Sequence, residues 1–299
     1  MKKFLLASTL LVSSVGMSQV VEDFEGVTAP ALPTGWTQVT SATDGGYAST
    51  ADISSQYFAV ASHTNYVGTN DDVCNCDKSG EQLISAAVAI PATGADLVQF
   101  EYALGMYYGE FANFGISTDG GATVTDLGLL ATTRVGTTAD HAWETASFPI
   151  TAYAGQTVNF VWTYDDNADW GSGLAIDDVE MISIDAVDME MTAITNAPTV
   201  VAGAVTIEGT VTSLGSAPVA SYEVTWNDGT GAQSSIITPA AALNYGDSDN
   251  FSHTVDLNAT AGTTYNLDVT VIVAGDAVAG NNTISTVISA VSSLSLIHI

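Results

Sequence analysis

A hydrophobic period of two returns along nearly the whole chain and constrains its fold more than any other feature. Val98, Phe100, Tyr102 and Leu104 alternate with Gln99, Glu101 and Ala103. Val158, Phe160, Trp162 and Tyr164 alternate with Asn159, Val161 and Thr163, and Tyr265, Leu267, Val269, Val271 and Val273 keep the same beat. Successive side chains of an extended strand point to opposite faces, so each run offers one face to a core and the other to solvent or a second sheet. Turn signals separate the runs: Asp119-Gly120-Gly121, Asn227-Asp228-Gly229 and Gly275-Asp276. Helical periods with caps are almost absent. Many short strands joined by such turns predict an all-β chain of β-sandwiches.

The 299 residues suffice for two domains of ordinary size, each with its own core. The run from Leu174 to Ile184 reads as a closing strand, and Asp185-Ala186-Val187-Asp188 begins a new alternating pattern. The expected domains are therefore residues 20–184 and 185–293. The second is shorter, rich in Thr and Val, and has seven or so strands, the size of an immunoglobulin-like sandwich. Its first clear strand is expected over Val205–Val211, ahead of a turn at Leu214-Gly215-Ser216.

Both ends read differently from the body. Met1-Lys2-Lys3 is basic, Phe4 to Val15 is a short apolar segment, and the small residues Gly16 and Ser18 precede a cut before Gln19. These are the three parts of a secretory signal peptide over residues 1–18, too short for a membrane anchor. The expected location is secreted or cell-surface. Residues 294–299 follow the last strand with no stop signal and read as a truncated tail.

Charge narrows the partners. The chain holds 33 acidic residues against four basic ones, a formal net charge of −29, and Lys2 and Lys3 fall in the leader. Lys78 and Arg134 are then the only cations of the exported form. Such a surface repels phosphate backbones and anionic lipid, so neither nucleic acid nor membrane insertion is expected. It suits divalent cations, and equally a soluble protein of salty surroundings.

The two cysteines lie together as Cys74-Asn75-Cys76. Export permits a disulfide between them; two free thiols or a bond to another chain are the alternatives. Zinc would need two further ligands, and His63 stands without a second histidine nearby.

Four pieces of the first domain, in order, resemble the jelly-roll cleaved-adhesin family of secreted Bacteroidetes proteins, related in architecture to MAM domains. They are Asp23-Phe24-Glu25-Gly26 with Leu32-Pro33-Thr34-Gly35-Trp36, looking like the family's first strand, and Asp77-Lys78-Ser79 leading to Leu83-Ile84-Ser85. The others are Phe114 to Gly121, resembling its central hairpin, and Trp170 to Val179, resembling its last strand. The resemblance implies a jelly-roll β-sandwich followed by an immunoglobulin-like one. The second domain resembles CARDB-like modules through residues 210–216 and Gly280-Asn281-Asn282-Thr283. The sorting domain that ends many relatives on the type IX secretion route finds no match here.

The resemblance also implies a structural calcium site where first and last strands meet, carried over to Glu25 and to Asp177 or Asp178. Calcium takes six to eight oxygens, which carboxylates and loop carbonyls supply. Asp71 and Asp72, in an acid- and amide-rich loop, are secondary candidates, although the loop lacks the spacing of an EF-hand.

Catalytic patterns are missing. His63, His141, His253 and His298 form no His-Glu-x-x-His, and no Gly-x-Ser-x-Gly elbow occurs. His253 shares the phase of Phe251 and Val255 and reads as a satisfied interior histidine. The run from Ser117 to Gly121 looks like an Asp-box turn, which is a hairpin device. Aromatic residues supply the remaining hint: Tyr107, Tyr108 and Trp170, with Trp143 and Tyr164, stand among acidic loops. Exposed rings beside polar groups stack on sugar faces, and Tyr107, Tyr108 and Trp170 are the expected glycan contacts. The chain thus reads as a non-catalytic adhesin-type binding protein for an extracellular glycan or protein ligand, with a spacer domain. The alternative is an accessory carbohydrate- or substrate-binding region of a larger secreted enzyme. Oligomeric state is left open.

Overall fold

The computed structural model describes residues 18–292. The expected signal peptide, apart from Ser18, and the expected tail lie outside the described residues. The chain parts into two compact units between Ser183 and Ile184.

The first unit begins with β1 (Ser18–Glu22), β2 (Thr37–Val39), β3 (Ala48–Thr50), β4 (Ala59–Val60) and β5 (Tyr66–Asn70). A four-residue helix α1 (Asp71–Cys74) follows, then β6 (Glu81–Ile84), β7 (Val88–Ala89) and β8 (Leu97–Leu104). The remainder is β9 (Phe111–Ser117), β10 (Thr125–Leu129), β11 (Asp140–His141), β12 (Glu144–Pro149), β13 (Thr157–Asp165) and β14 (Gly173–Ile182). One antiparallel sheet runs β12-β8-β14-β5-β3, with β1 also on β14; the other runs β10-β9-β13-β6-β2, with β7 on β13. Strands distant in sequence are neighbours in both sheets, the mark of a jelly-roll sandwich.

The alternating residues are what the two sheets bury between them. Val98, Phe100 and Leu104 of β8 and Val158, Phe160, Trp162 and Tyr164 of β13 are at most 1% exposed. Phe100 meets Phe114 of β9 at 5.0 Å and Trp162 at 5.3 Å, and Trp36 stacks on Trp162 at 5.6 Å. Each such buried side chain stabilises the fold by about 1.5–3 kcal/mol, so the interlocked rings dominate the core. Tyr164 is a core residue, as its place in the alternating run predicts, and not one of the loop rings.

Local chemistry ends the strands where the turn signals stood. Between β9 and β10, Ser117 Oγ accepts from Gly121 N at 2.8 Å and donates to Asp119, whose carboxylate also takes Thr123 N and Oγ1. These bonds from Thr123 and Ser117 hold the Asp119 carboxyl down at about 2. The opening motif is corrected in place: Asp23 to Gly26 follow β1 rather than form it. Phe24 turns to φ +53°, its N–H donates to Glu22, and its ring buries edge-on against Trp36 at 5.2 Å.

The second unit contains β15 (Met189–Ile194), β16 (Thr199–Val201), β17 (Gly203–Val205), β18 (Glu208–Ser213) and β19 (Tyr222–Asn227). It continues with β20 (Ala232–Ile237), β21 (Ser248–Ser252), β22 (Leu257–Ala259), β23 (Thr264–Ile272) and β24 (Thr283–Val291). A three-stranded sheet β15-β18-β21 and a five-stranded sheet β16-β24-β23-β19-β20 share one apolar core, and β17 and β22 form a small ribbon. This is an immunoglobulin-like sandwich with more strands than expected. The strand expected over Val205–Val211 breaks at Thr206-Ile207, because β17 pairs with β22 whereas β18 pairs with β15 and β21. Ile207 is fully buried at the break. His253 is a satisfied interior residue: Nδ1 accepts from Val255 N at 3.0 Å and Nε2 faces Val224 O at 3.2 Å.

Candidate functional site

Three loops of the first unit bring aromatic rings to one place. Tyr107 and Tyr108 lie between β8 and β9, Trp170 between β13 and β14, and Tyr57 just before β4. All four are exposed, at 59%, 36%, 62% and 47% respectively. Tyr107 and Tyr108 meet edge to face at 4.7 Å, and Tyr108 lies 6.0 Å from Trp170. Tyr57, Tyr107 and Tyr108 line a cavity of about 320 Å³, together with Gln56, Arg134 and His141. Leaving large rings in water forfeits their burial, so a cluster of them beside a cavity is a candidate binding surface.

Buried carboxylates hold these loops. Glu110 is fully buried, and its oxygens accept from Tyr107 N (3.1 Å), Tyr108 N (2.7 Å), Ser172 N (3.1 Å) and Ser172 Oγ (2.9 Å). One side chain thereby ties the tyrosine loop to the tryptophan loop. Asp71 adds a second tie: its Oδ2 accepts Gly171 N at 2.7 Å, and its own N–H donates to Ser172 O at 3.0 Å. Asp72 Oδ2 accepts Tyr57 N at 3.2 Å. Asn70 caps α1 by accepting Val73 N at 2.9 Å, and the disulfide between Cys74 and Cys76 closes the turn behind it.

Asp71 and Asp72, the secondary cation candidates, each hold a backbone N–H of an aromatic loop. Asp71 is buried, against the solvent-exposed loop that its sequence suggests. Burial pushes its carboxyl up to about 6; the Gly171 hydrogen bond and Lys78 pull it down, and the charges of Asp166 and Glu110 add to the rise. The other cluster near α1, Asp44 with Cys74 and Cys76, offers no thiolate because both sulfurs are oxidised.

His141 lines the cavity, but its ring nitrogens are sealed from solvent. His141 is only 2% exposed and packs edge-on against Phe58 at 4.9 Å; its ring nitrogens make no hydrogen bond of good geometry, although the Ala139 and Ala59 carbonyls lie close enough to act on them. Desolvation lowers its pKa first, the Arg134 charge lowers it further, and the nearby Ala139 and Ala59 carbonyls oppose the fall. Its neutral ring therefore offers one donor and one acceptor. Arg134 pairs in a β-bridge with His141 and lays its guanidinium over the Tyr107 ring at 4.0 Å. Its Nε and Nη2 donate to the carbonyls of Thr138 and Thr137.

The expected calcium ligands are brought together only in part. A register shift between Asp177 and Glu180 lets β14 bulge, and Asp178 adopts φ +47°. Asp177 turns fully inward while Asp178 faces solvent. Asp177 lies directly across from Glu101 of β8, two like charges on neighbouring strands. His63 sits between them, Nδ1 at 2.7 Å from Asp177 and Nε2 at 2.8 Å from Glu101. Its ring packs against Trp143 at 4.3 Å. Burial pushes the Asp177 carboxyl up to about 7, against the Asp178 amide bond and His63.

His63, and not Glu25, completes the group with Asp177 and Asp178; Glu25 accepts Asn65 N at 2.9 Å instead. Two carboxylates and a ring nitrogen already committed to carboxylates do not fit calcium, which takes six to eight oxygens. Sequence reasoning missed His63 because its two partners lie 38 and 114 positions away. His141 and Glu110 were missed for the same reason, since nothing local shows which histidine or acid is buried.

Among the described residues no helix is long and apolar enough to cross a membrane. No known family profile matches the chain, and no curated protein matches it. Among solved structures it is similar to a cleaved adhesin domain of Lys-gingipain, 20% identical over 56% of this chain and 98% of that domain, with a TM-score of 0.40. It is also similar to a family 11 carbohydrate-binding module of a cellulosomal cellulase from Clostridium thermocellum, 14% identical over 57% of this chain and 97% of the module, TM-score 0.33. A third is the glycoside hydrolase domain of Endo-D from Streptococcus pneumoniae, 15% identical over 85% of this chain and 37% of that one, TM-score 0.33. Likenesses of this degree carry no argument about what the chain does, and the fold class rests on its own sheet topology.

Proposed function

We propose that the chain is an exported, non-catalytic adhesin-type binding protein whose first unit takes a glycan on the ring cluster of Tyr57, Tyr107, Tyr108 and Trp170. The observation that carries this reading is the gathering of four exposed rings, three of which line one cavity. Ring faces suit the apolar faces of sugars, and the Gln56 amide suits hydroxyls. Glu110 and Asp71 make the arrangement rigid before any ligand arrives, which lowers the ordering cost of binding. The second unit serves as a spacer. Membership of a larger secreted enzyme as its substrate-binding region is compatible with the same surface, and activity screens on the purified chain are expected to be blank.

The calcium expected at Glu25, Asp177 and Asp178 has no part in this function. Thermal unfolding with calcium and with chelator tests it separately, and equal midpoints are expected.

Calorimetric titration of the full chain against a panel of neutral and acidic oligosaccharides tests the glycan reading. At least one is expected to bind, and Trp170→Ala and Tyr107→Ala are each expected to weaken it by about tenfold, roughly 1.4 kcal/mol. Binding that survives both substitutions, or no binding to any sugar, would overturn it.

A further inference from the structure

We infer that the ligand of this cavity is an acidic glycan, one whose sugars carry carboxylate groups; the inference deepens the glycan reading and rests on it. The first observation is where the chain keeps its cations. Among the described residues there are two Lys or Arg side chains. Lys78 is fully buried and bonds Asp44 at 2.9 Å, with Glu81 at 3.7 Å. Arg134 is the other, and it lines the aromatic cavity.

The second observation is what Arg134 lacks. In a chain with 33 acidic residues, its guanidinium has no ion pair with a carboxylate among the described residues. Its two hydrogen bonds go to uncharged carbonyls, of Thr137 and Thr138. Nη1 and the second Nη2 hydrogen remain, a pair of parallel donors that matches a carboxylate. The acids nearest the cavity do not turn to it. Glu110 spends its oxygens on four donors, and Asp72 faces Tyr57 N.

Stacking on Tyr107 fixes the plane of the guanidinium at 4.0 Å from the ring centre. A positive group held rigid, uncompensated and beside stacking rings recognises an anion attached to a flat ring-stacking unit. Gln56, which also lines the cavity, offers a side-chain amide suited to the hydroxyls of the same sugar. A uronic acid combines these features: a pyranose face, hydroxyls and one carboxylate. A neutral sugar would leave the guanidinium unanswered, and a polyanion without ring faces would leave the aromatic rings unused.

The test titrates the full chain with trigalacturonate, with its methyl ester, and with a glutamate-rich peptide. Salt near about 0.3 M screens the repulsion between two anions beyond a few ångströms. The acid is expected to bind at least tenfold more tightly than the ester. Arg134→Gln is expected to erase that difference by weakening the acid far more than the ester, and Arg134→Lys to retain part of it. Because Arg134 also holds its own loop, a thermal midpoint accompanies each variant. If a variant is unstable, the acid-to-ester ratio of the unaltered chain decides alone. Equal affinities for acid and ester would overturn the acidic-glycan inference and leave the glycan reading standing. Binding of neither would overturn both, and binding of the peptide alone would replace them with a protein ligand.

Discussion

At Glu110 a carboxylate shielded from water faces four donors from two loops, and at Asp71 a second buried acid holds one of those loops. The second of these, Asp71, makes stability depend on pH. The Asp71 carboxyl stands at about 6 in the folded chain, above the ordinary aspartate value in the unfolded one. The native state therefore binds more protons than the unfolded state between about pH 4 and 6. The contribution of Asp71 is full below that window and is lost as pH rises through it. Urea unfolding from pH 4 to 7 is expected to show stability falling with pH, and Asp71→Asn to flatten part of the fall. A variant with an unchanged slope would show that Asp71 titrates normally. None of this was legible in the sequence, because an acid that will be buried looks the same as one that stays in water.

At the scale of elements, β8 and β14 show how much the pairing of strands adds to their patterns. The alternation of β8 announced its buried face, and Val98, Phe100 and Leu104 occupy it. Which residue of β14 would lie across from Glu101 was not announced, since register depends on a bulge between Asp177 and Glu180. The bulge sets Asp177 against Glu101, and His63, from the loop before β5, relieves the repulsion. His63→Ala is expected to destabilise the first unit by roughly 3 kcal/mol, the low end for a broken buried pair because Glu101 is partly exposed. Adding Asp177→Asn should restore most of the loss in denaturant titration. A loss below about 0.5 kcal/mol, the range of ordinary surface changes, would mean the trio contributes nothing. The break at Thr206-Ile207 teaches the same lesson: the composition was strand-like throughout, and the pairing partners decided where one strand ended.

For the whole molecule, charge is the property that spans both units. A formal net charge of −29 crowds like charges onto the folded surface, and the compact state suffers most from it. Salt screens that repulsion, with a Debye length near about 10 Å at 0.1 M. The thermal midpoint is therefore expected to rise from about 0.05 to about 0.5 M sodium chloride. A midpoint that falls with salt would mean that the ion pairs of His63 and Lys78 outweigh the general repulsion. The same acidity makes Arg134 conspicuous, for a half-buried cation without a carboxylate partner among the described residues is unexpected in such a chain.

By itself the sequence determined the fold class, the approximate division of the chain and the hairpin at Ser117 to Gly121. Alternation and turn chemistry are local, and each is written within a few neighbouring residues. It also marked Tyr107, Tyr108 and Trp170, because large rings set among polar loop residues stand out. Only the tertiary structure decided that these rings meet, that Tyr57, Arg134 and His141 join them, and that Glu110, Asp71 and Asp72 hold the loops. It also decided that His63, and not Glu25, stands beside Asp177. Those arrangements depend on the register of strands far apart in the chain and on which polar groups burial deprives of water, and neither quantity is carried by any single stretch of residues.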